Sequence, residues 1–175
     1  NIAINLFGVE FLMALAAEPN TARHVLEVIT EVIVTATTEL CGIVPPEIRR
    51  VSVAADRFMP AGHGLIDGCA TQMVSPQDYA DALAPFDAAT LACYPEGGML
   101  HLCGASAQHA PAFAANLHIR TIQLNDRALV DLPLYLEQAR ADQIFYLSPC
   151  PDLPVAQCIE LMQGRPFVLQ TDCPA

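Results

Sequence analysis

Four short apolar segments, each ending in polar or reactive residues, alternate with helix-like segments through the second half of the chain. The strand candidates are MLHLCG (99–104), IRTIQLND (119–126), QIFYLSP (143–149) and PFVLQTD (166–172). ALVDLPLYLEQARA and LPVAQCIELMQG, which lie between the later ones, have the pattern of helices. This alternation predicts an α/β fold with a parallel sheet.

The first half of the chain is less regular. It predicts strands over 2–7 (IAINLF) and 51–55 (VSVAA), a helix over 21–40, a loop around His63 and Asp67, and a helix opened by Ser75 and Pro76. Both ends of the sequence fall where an α/β fold would still continue. We therefore expect the chain to be an incomplete (β/α)8 TIM barrel whose N-terminal strands are missing. Residues 1–175 are expected to form a single domain.

Composition excludes several classes of function. The net charge is −11, from 19 acidic and 8 basic residues, so the surface repels phosphate backbones and nucleic acid is not an expected partner. All the basic residues are arginines, which excludes Schiff-base, pyridoxal-phosphate and P-loop lysines within these residues. No apolar run is long enough to span a membrane. Seven irregularly spaced cysteines without a signal peptide indicate a reducing, cytoplasmic setting.

His101 and Cys103 are the most informative pair of side chains. Residues i and i+2 of a strand point the same way, so both can face one ion while Leu102 packs on the other side. Imidazole and thiolate are preferred zinc ligands, and Cys173 follows another strand and could supply a third. The alternative is an ordinary buried strand with a core thiol and a hydrogen-bonded histidine.

The motif GGMLHLCG, preceded by VSPQDYADALAPF, resembles the uroporphyrinogen decarboxylase superfamily. NLFGVEFLMALA is similar to that family's glycine–aromatic turn before a helix, and LVDLPLYL and PCPDLPVAQ to its acidic–proline segments. The resemblance covers nearly the whole chain and implies the last two-thirds of a (β/α)8 barrel.

One branch of the superfamily consists of cobamide-dependent methyltransferases. Resemblance to it implies zinc held by His101, Cys103 and Cys173, and methyl transfer from a corrinoid or corrinoid protein to a small thiol. Asp67 corresponds to an acidic residue near the substrate cleft. Two alternatives stay open: a metal-independent uroporphyrinogen decarboxylase of porphyrin biosynthesis, and a non-catalytic barrel that binds a corrinoid or tetrapyrrole.

The remaining candidates are placed by their position at strand ends. Asn125 and Asp126 end a strand and are expected to line the same mouth as Asp67, as catalytic candidates. The other cysteines are interpreted as structural: Cys41, Cys69, Cys93, Cys150 and Cys158. The other histidines considered are interpreted as loop or packing residues rather than ligands: His63, His109 and His118.

Overall fold

In the described part of the chain, the main sheet has five parallel strands. The computed structural model describes residues 1–54 and 57–170. The strands are β1 (Ser52–Ala54), β2 (Arg57–Phe58), β3 (Gly64–Asp67), β4 (Gly98–Leu102), β5 (Ile119–Leu124), β6 (Ile144–Leu147) and β7 (Phe167–Leu169). Strands β3 to β7 form the parallel sheet, and β1 and β2 form a separate antiparallel pair. The four strands expected in the second half of the chain are confirmed.

The strand order is β3-β4-β5-β6-β7, which is also the order along the chain. A doubly wound sheet reverses its order at a switch point, and the described strands show no such reversal. A sequential parallel order is the order of strands around a (β/α)8 barrel. The observed fold is therefore α/β with a parallel sheet, which is compatible with part of a barrel.

The α-helices vary widely in length. They are α1 (Ile2–Phe7), α2 (Val9–Ala17), α3 (Pro19–Ile43), α4 (Pro76–Asp78), α5 (Ala84–Leu91), α6 (Ala110–Ala115), α7 (Asp126–Val130), α8 (Leu132–Gln138) and α9 (Val155–Met162). Short 3-10 turns cover Pro46–Ile48, Cys69–Met73 and Ala107–His109, and a π-turn over Tyr79–Leu83 joins α4 to α5. The helix expected over 21–40 is confirmed within α3.

The helix expected from Ser75 and Pro76 is also confirmed. The Ser75 hydroxyl accepts a hydrogen bond from the Asp78 backbone N–H at 3.1 Å, and Pro76 occupies the first turn. This is the N-cap arrangement in which a hydroxyl oxygen satisfies a free backbone donor at the start of a helix. Local sequence is enough to specify it, because every group involved lies within four residues.

The strand expected over residues 2–7 is wrong, because Ile2–Phe7 is an α-helix. A six-residue apolar run does not by itself distinguish a strand from a buried helix. Gly8, at φ 65°, separates this helix from α2. Ala3 packs into a small second core with Phe11, Leu15, Ala22 and Leu26. Packing against α2 and α3 therefore decides the conformation of this segment.

The two faces of the parallel sheet have different surroundings. Leu100, Leu102, Ile122 and Leu124 point into the main hydrophobic core, where the helices after each strand cover them. Their neighbours along the strands alternate to the opposite face, which carries the polar side chains of the sheet. All four of these core side chains are almost completely buried, and each contributes about 1.5–3 kcal/mol to folding. The hydrophobic core thus fixes which side chains face the other way.

Strand β3 was not expected, since residues around Asp67 were interpreted as a loop. Gly64–Asp67 pairs with β4 in parallel register, and Asp67 lies opposite His101. Gly64 approaches its neighbours so closely that a Cβ there would overlap the Tyr94 ring. A four-residue segment that begins with glycine gives little strand signal. Pairing with β4 therefore stabilises this strand, although its own sequence has little strand propensity.

Candidate metal centre

Three side chains converge at the carboxyl end of β3 and β4. One ligand atom from each of Cys69, His101 and Cys103 lies within 4.8 Å of the other two. Among the described residues this is the one group of three or more metal-ligating side chains that close together. The strand alternation that predicted a common face for His101 and Cys103 agrees with this geometry.

Cys69 was expected to be structural, but the structure brings it into the cluster. It begins the 3-10 turn Cys69–Met73 immediately after β3, while Cys103 follows β4. Because β3 and β4 are adjacent and parallel, the residues that follow their carboxyl ends meet at one edge of the sheet. The only sequence signal for Cys69 was its position in IDGC, directly after a strand that the sequence did not reveal.

The third ligand expected from the sequence, Cys173, lies outside the described residues, which end at 170. Its role as a ligand stays a prediction. The described ligands therefore number three, and a tetrahedral zinc site with three protein ligands retains one position for a substrate or a further residue.

The donor set fits zinc better than it fits a hard cation. Two sulfurs and an imidazole nitrogen are typical zinc ligands, whereas Mg²⁺ and Ca²⁺ select oxygen. The two sulfurs are 2.6 Å apart, with the Cys103 thiol donating to Cys69 Sγ, and both cysteines are free thiols. Two thiolates on tetrahedral zinc lie about 3.8 Å apart. Metal binding would therefore move the sulfurs about 1 Å further apart, which side-chain rotation can accommodate.

The metal-free cluster favours neutral sulfur on Cys69. Burial raises the pKa of the Cys69 thiol, and its hydrogen bond with Cys103 and the adjacent Asp67 carboxylate raise it further. A bound cation reverses this preference, because thiolate is the form that coordinates a metal. Metal binding at this site would thus be accompanied by release of protons.

Asp67 lies beside the cluster and holds the turn that carries Cys69. Its Oδ1 accepts a hydrogen bond from the Cys69 backbone N–H at 3.0 Å. Partial burial raises the pKa of Asp67, but hydrogen bonds from Cys69 and Asn1 and the nearby His101 imidazole outweigh that effect and hold it below the usual value. The carboxylate is therefore ionised and next to the ligands, and its expected catalytic role stays a prediction.

A row of polar side chains extends from His101 across the face of the sheet opposite the main hydrophobic core. His101 Nδ1 lies 2.8 Å from Gln123 Oε1, and Gln123 Nε2 donates to Gln170 Oε1 at 2.7 Å. Ser148 Oγ lies 2.8 Å from Gln170 Oε1 and 2.7 Å from Asn125 Oδ1. We call these five residues the polar row. Gln123 occupies an alternate position of the apolar strand β5, and Gln170 directly follows β7, but neither was expected from the sequence to belong to a site.

The two remaining catalytic candidates have different surroundings. Asn125 belongs to the polar row through Ser148. Asp126 is exposed at the start of α7, at φ 48°, and is a member of neither the metal cluster nor the polar row. A positive φ is uncommon for a residue other than glycine and is most tolerated by Asn and Asp. Of these two residues at the end of β5, only Asn125 is thus connected to the metal cluster, through the polar row.

The sequence matches no known family model, and no curated protein or solved structure is significantly similar to it. None of the helices in the described part of the chain combines the length and apolarity needed to cross a membrane. The metal cluster and the polar row are therefore the structural features that bear most directly on function.

Buried hydrogen bonds connect the loop after β3 to the loop after β4. Thr71 Oγ1 donates to the Gly68 carbonyl at 2.7 Å and lies 3.0 Å from Ser106 Oγ. His109 Nε2 donates to the Thr71 carbonyl at 2.9 Å, and burial lowers the pKa of its imidazole. His109 thus has a structural role, as the sequence analysis expected. These contacts hold the backbone segments that carry Cys69 and Cys103 in a fixed relation before any metal binds.

Proposed function

We propose that the protein binds zinc through Cys69, His101 and Cys103 and uses it in methyl transfer from a corrinoid to a small thiol. The observation that carries the proposal is the convergence of these three ligand atoms within 4.8 Å at the carboxyl end of a parallel sheet. Ligand sites of parallel α/β folds lie at that end of the strands. In the ligand set that the resemblance implies, Cys173 stands in place of Cys69.

The residues around the cluster have separable tasks in this proposal. His101 and the two thiols hold the metal, and Asp67 fixes the turn that presents Cys69. Zinc bound there would keep a coordinated substrate thiol in its thiolate form at neutral pH, which is the nucleophile for methyl transfer. The other side chains of the polar row, Gln123, Gln170, Ser148 and Asn125, carry no charge, so a bound metal would be the dominant positive charge beside that thiolate.

A resemblance in the sequence around His101 and Cys103 supports the same chemistry. The GGMLHLCG motif resembles the uroporphyrinogen decarboxylase superfamily, whose methyltransferase branch has a His-X-Cys zinc site. The sequential strand order is compatible with the barrel of that superfamily. The resemblance implies Cys173 as the third protein ligand, whereas the geometry favours Cys69. Either set has three protein ligands and leaves the fourth position of a tetrahedral zinc for the substrate thiol.

Metal analysis and a methyl-transfer assay test the proposal. We expect about one zinc per chain, and zinc-dependent transfer from methylcobalamin to 2-mercaptoethanesulfonate or homocysteine. Cys103→Ser should lose both properties. The matched control is Cys93→Ser, because Cys93 is half-buried, lies outside the cluster and has its thiol in a weak 3.6 Å contact with the Ala89 carbonyl.

Other outcomes would redirect the assignment. A protein without zinc whose Cys103→Ser variant is unchanged would contradict the proposal. Decarboxylation of uroporphyrinogen without added zinc would favour the decarboxylase alternative. Spectroscopic binding of a corrinoid with no transfer to any thiol would favour a binding protein.

A further inference from the structure

Gln123 connects the metal cluster to the rest of the polar row. It is the direct register partner of His101 in the parallel pair β4–β5, so the two side chains leave the same face of the sheet. Its side chain is 4% exposed, and both ends of its amide are hydrogen-bonded, to His101 Nδ1 and to Gln170. A buried amide with both ends engaged is held in one orientation, since breaking either bond would leave a buried polar group without a partner.

We propose that Gln123 is a positioning residue that holds His101 in the tautomer protonated on Nδ1, so that Nε2 presents its lone pair to the metal. This inference rests on the proposed metal site. A neutral imidazole has one N–H and one lone pair, and an amide oxygen can only accept. With Gln123 Oε1 at 2.8 Å, Nδ1 is the donor and Nε2 is the nitrogen left for coordination. Outer partners of this kind orient metal-ligating histidines and raise their basicity.

Gln170 binds the end of the Gln123 amide that faces away from His101. Gln123 Nε2 donates to Gln170 Oε1, so Gln123 Oε1 points back to the imidazole. The reverse order, with both amides rotated, would place an N–H donor against Nδ1 and leave Nε2 protonated and unable to ligate. The two orders occupy the same heavy-atom positions. They predict opposite tautomers of His101, and that difference can be measured.

The first experiment measures the tautomer in the metal-free protein. Long-range ¹H–¹⁵N correlation spectra distinguish the protonated from the unprotonated nitrogen of each imidazole, and the His101 signals are assigned by their absence from His101→Asn. We expect protonated Nδ1 and unprotonated Nε2. Protonated Nε2 would overturn the inference, whether or not the protein binds zinc.

The second experiment compares zinc affinity among variants by competition with a chelator. Gln123→Leu removes the acceptor and should weaken zinc binding by about 10–100-fold, the usual effect of losing an outer partner. Gln123→Glu keeps an oxygen acceptor facing Nδ1 and should restore binding to near the wild-type value. Gln170→Leu leaves the Gln123 amide free to rotate and should give an intermediate loss with mixed His101 tautomers.

Thr121→Val is the matched control. Thr121 is on the same strand and face as Gln123, is also 4% exposed, and its hydroxyl has no hydrogen-bond partner among the residues the structure describes. Its substitution should leave zinc affinity unchanged. Equal loss in Thr121→Val and Gln123→Leu, or no rescue by Gln123→Glu, would overturn the positioning role.

The two proposals fail in different ways. If the wild-type protein binds no zinc, the proposed function fails and the tautomer spectrum still tests Gln123. If the wild type binds zinc and Gln123→Leu binds it equally well while folded, the positioning role fails and the metal site stands.

Discussion

The Cys69→Ser substitution tests which set of ligands holds the metal. The structure brings Cys69 together with His101 and Cys103, whereas the resemblance implied Cys173 in its place. Serine is almost isosteric with cysteine and can keep the contacts of the half-buried Cys69 thiol with Cys103 and Asp67. Without metal, the free energy of unfolding should therefore change by less than about 1 kcal/mol. Any larger effect that appears only with zinc would report the loss of a metal ligand.

The size of the zinc effect follows from the ligand count. Structural zinc sites with four ligands bind with about 10–16 kcal/mol, or about 2.5–4 kcal/mol per ligand. Loss of the Cys69 thiolate should accordingly weaken zinc binding by about 10²–10³-fold. Zinc at 100 times the wild-type Kd stabilises the folded state by about 2.7 kcal/mol. At the same zinc concentration the variant would gain about 0.4 kcal/mol or less.

Thermal unfolding followed by circular dichroism makes this difference visible. For a chain of this size, 1 kcal/mol corresponds to about 2–4 °C, so zinc should raise the wild-type Tm by about 5–11 °C. The Cys69→Ser protein should gain less than about 2 °C under the same conditions. The control Cys93→Ser should behave like the wild type. A Cys69→Ser protein with the full wild-type shift would refute the geometric argument, and a parallel Cys173→Ser sample, if it lost the zinc-dependent shift, would then support the ligand set implied by resemblance.

Three further experiments test the electrostatics of Asp87, the loop contacts of Thr71 and the burial of Leu102. Burial raises the pKa of Asp87 to about 6; the folded state therefore binds an extra proton between about pH 4 and 6. The unfolding free energy should fall as pH rises through that window, and Asp87→Asn, followed by urea unfolding, should lack that fall. Thr71→Val should cost about 1–3 kcal/mol and be non-additive with Ser106→Ala in a double-mutant cycle, since the two hydroxyls lie 3.0 Å apart. Leu102→Ala should cost about 2–5 kcal/mol, whereas Leu117→Ala, at a position 68% exposed, should cost less than about 0.5 kcal/mol; similar values for the two would contradict the assigned core.

Much of the parallel sheet could be predicted from local pattern. The segments that became β4, β5, β6 and β7 combine apolar alternation with clear helical segments between them. The same reasoning failed for Ile2–Phe7, which is short and apolar and became a helix through its packing on α2 and α3. It also missed β3, because pairing with β4 stabilises a strand that has little signal of its own.

The sequence by itself determined that His101 and Cys103 share a face, because a strand repeats every two residues regardless of its surroundings. Only the tertiary structure decided that Cys69 and Gln123 join them. Both contacts cross from one strand to its neighbour, at separations of 34 residues for Cys69–Cys103 and 22 for Gln123–His101. Such contacts depend on strand order and register, and these are set by how the apolar faces pack into a common core rather than by the residues next to each ligand.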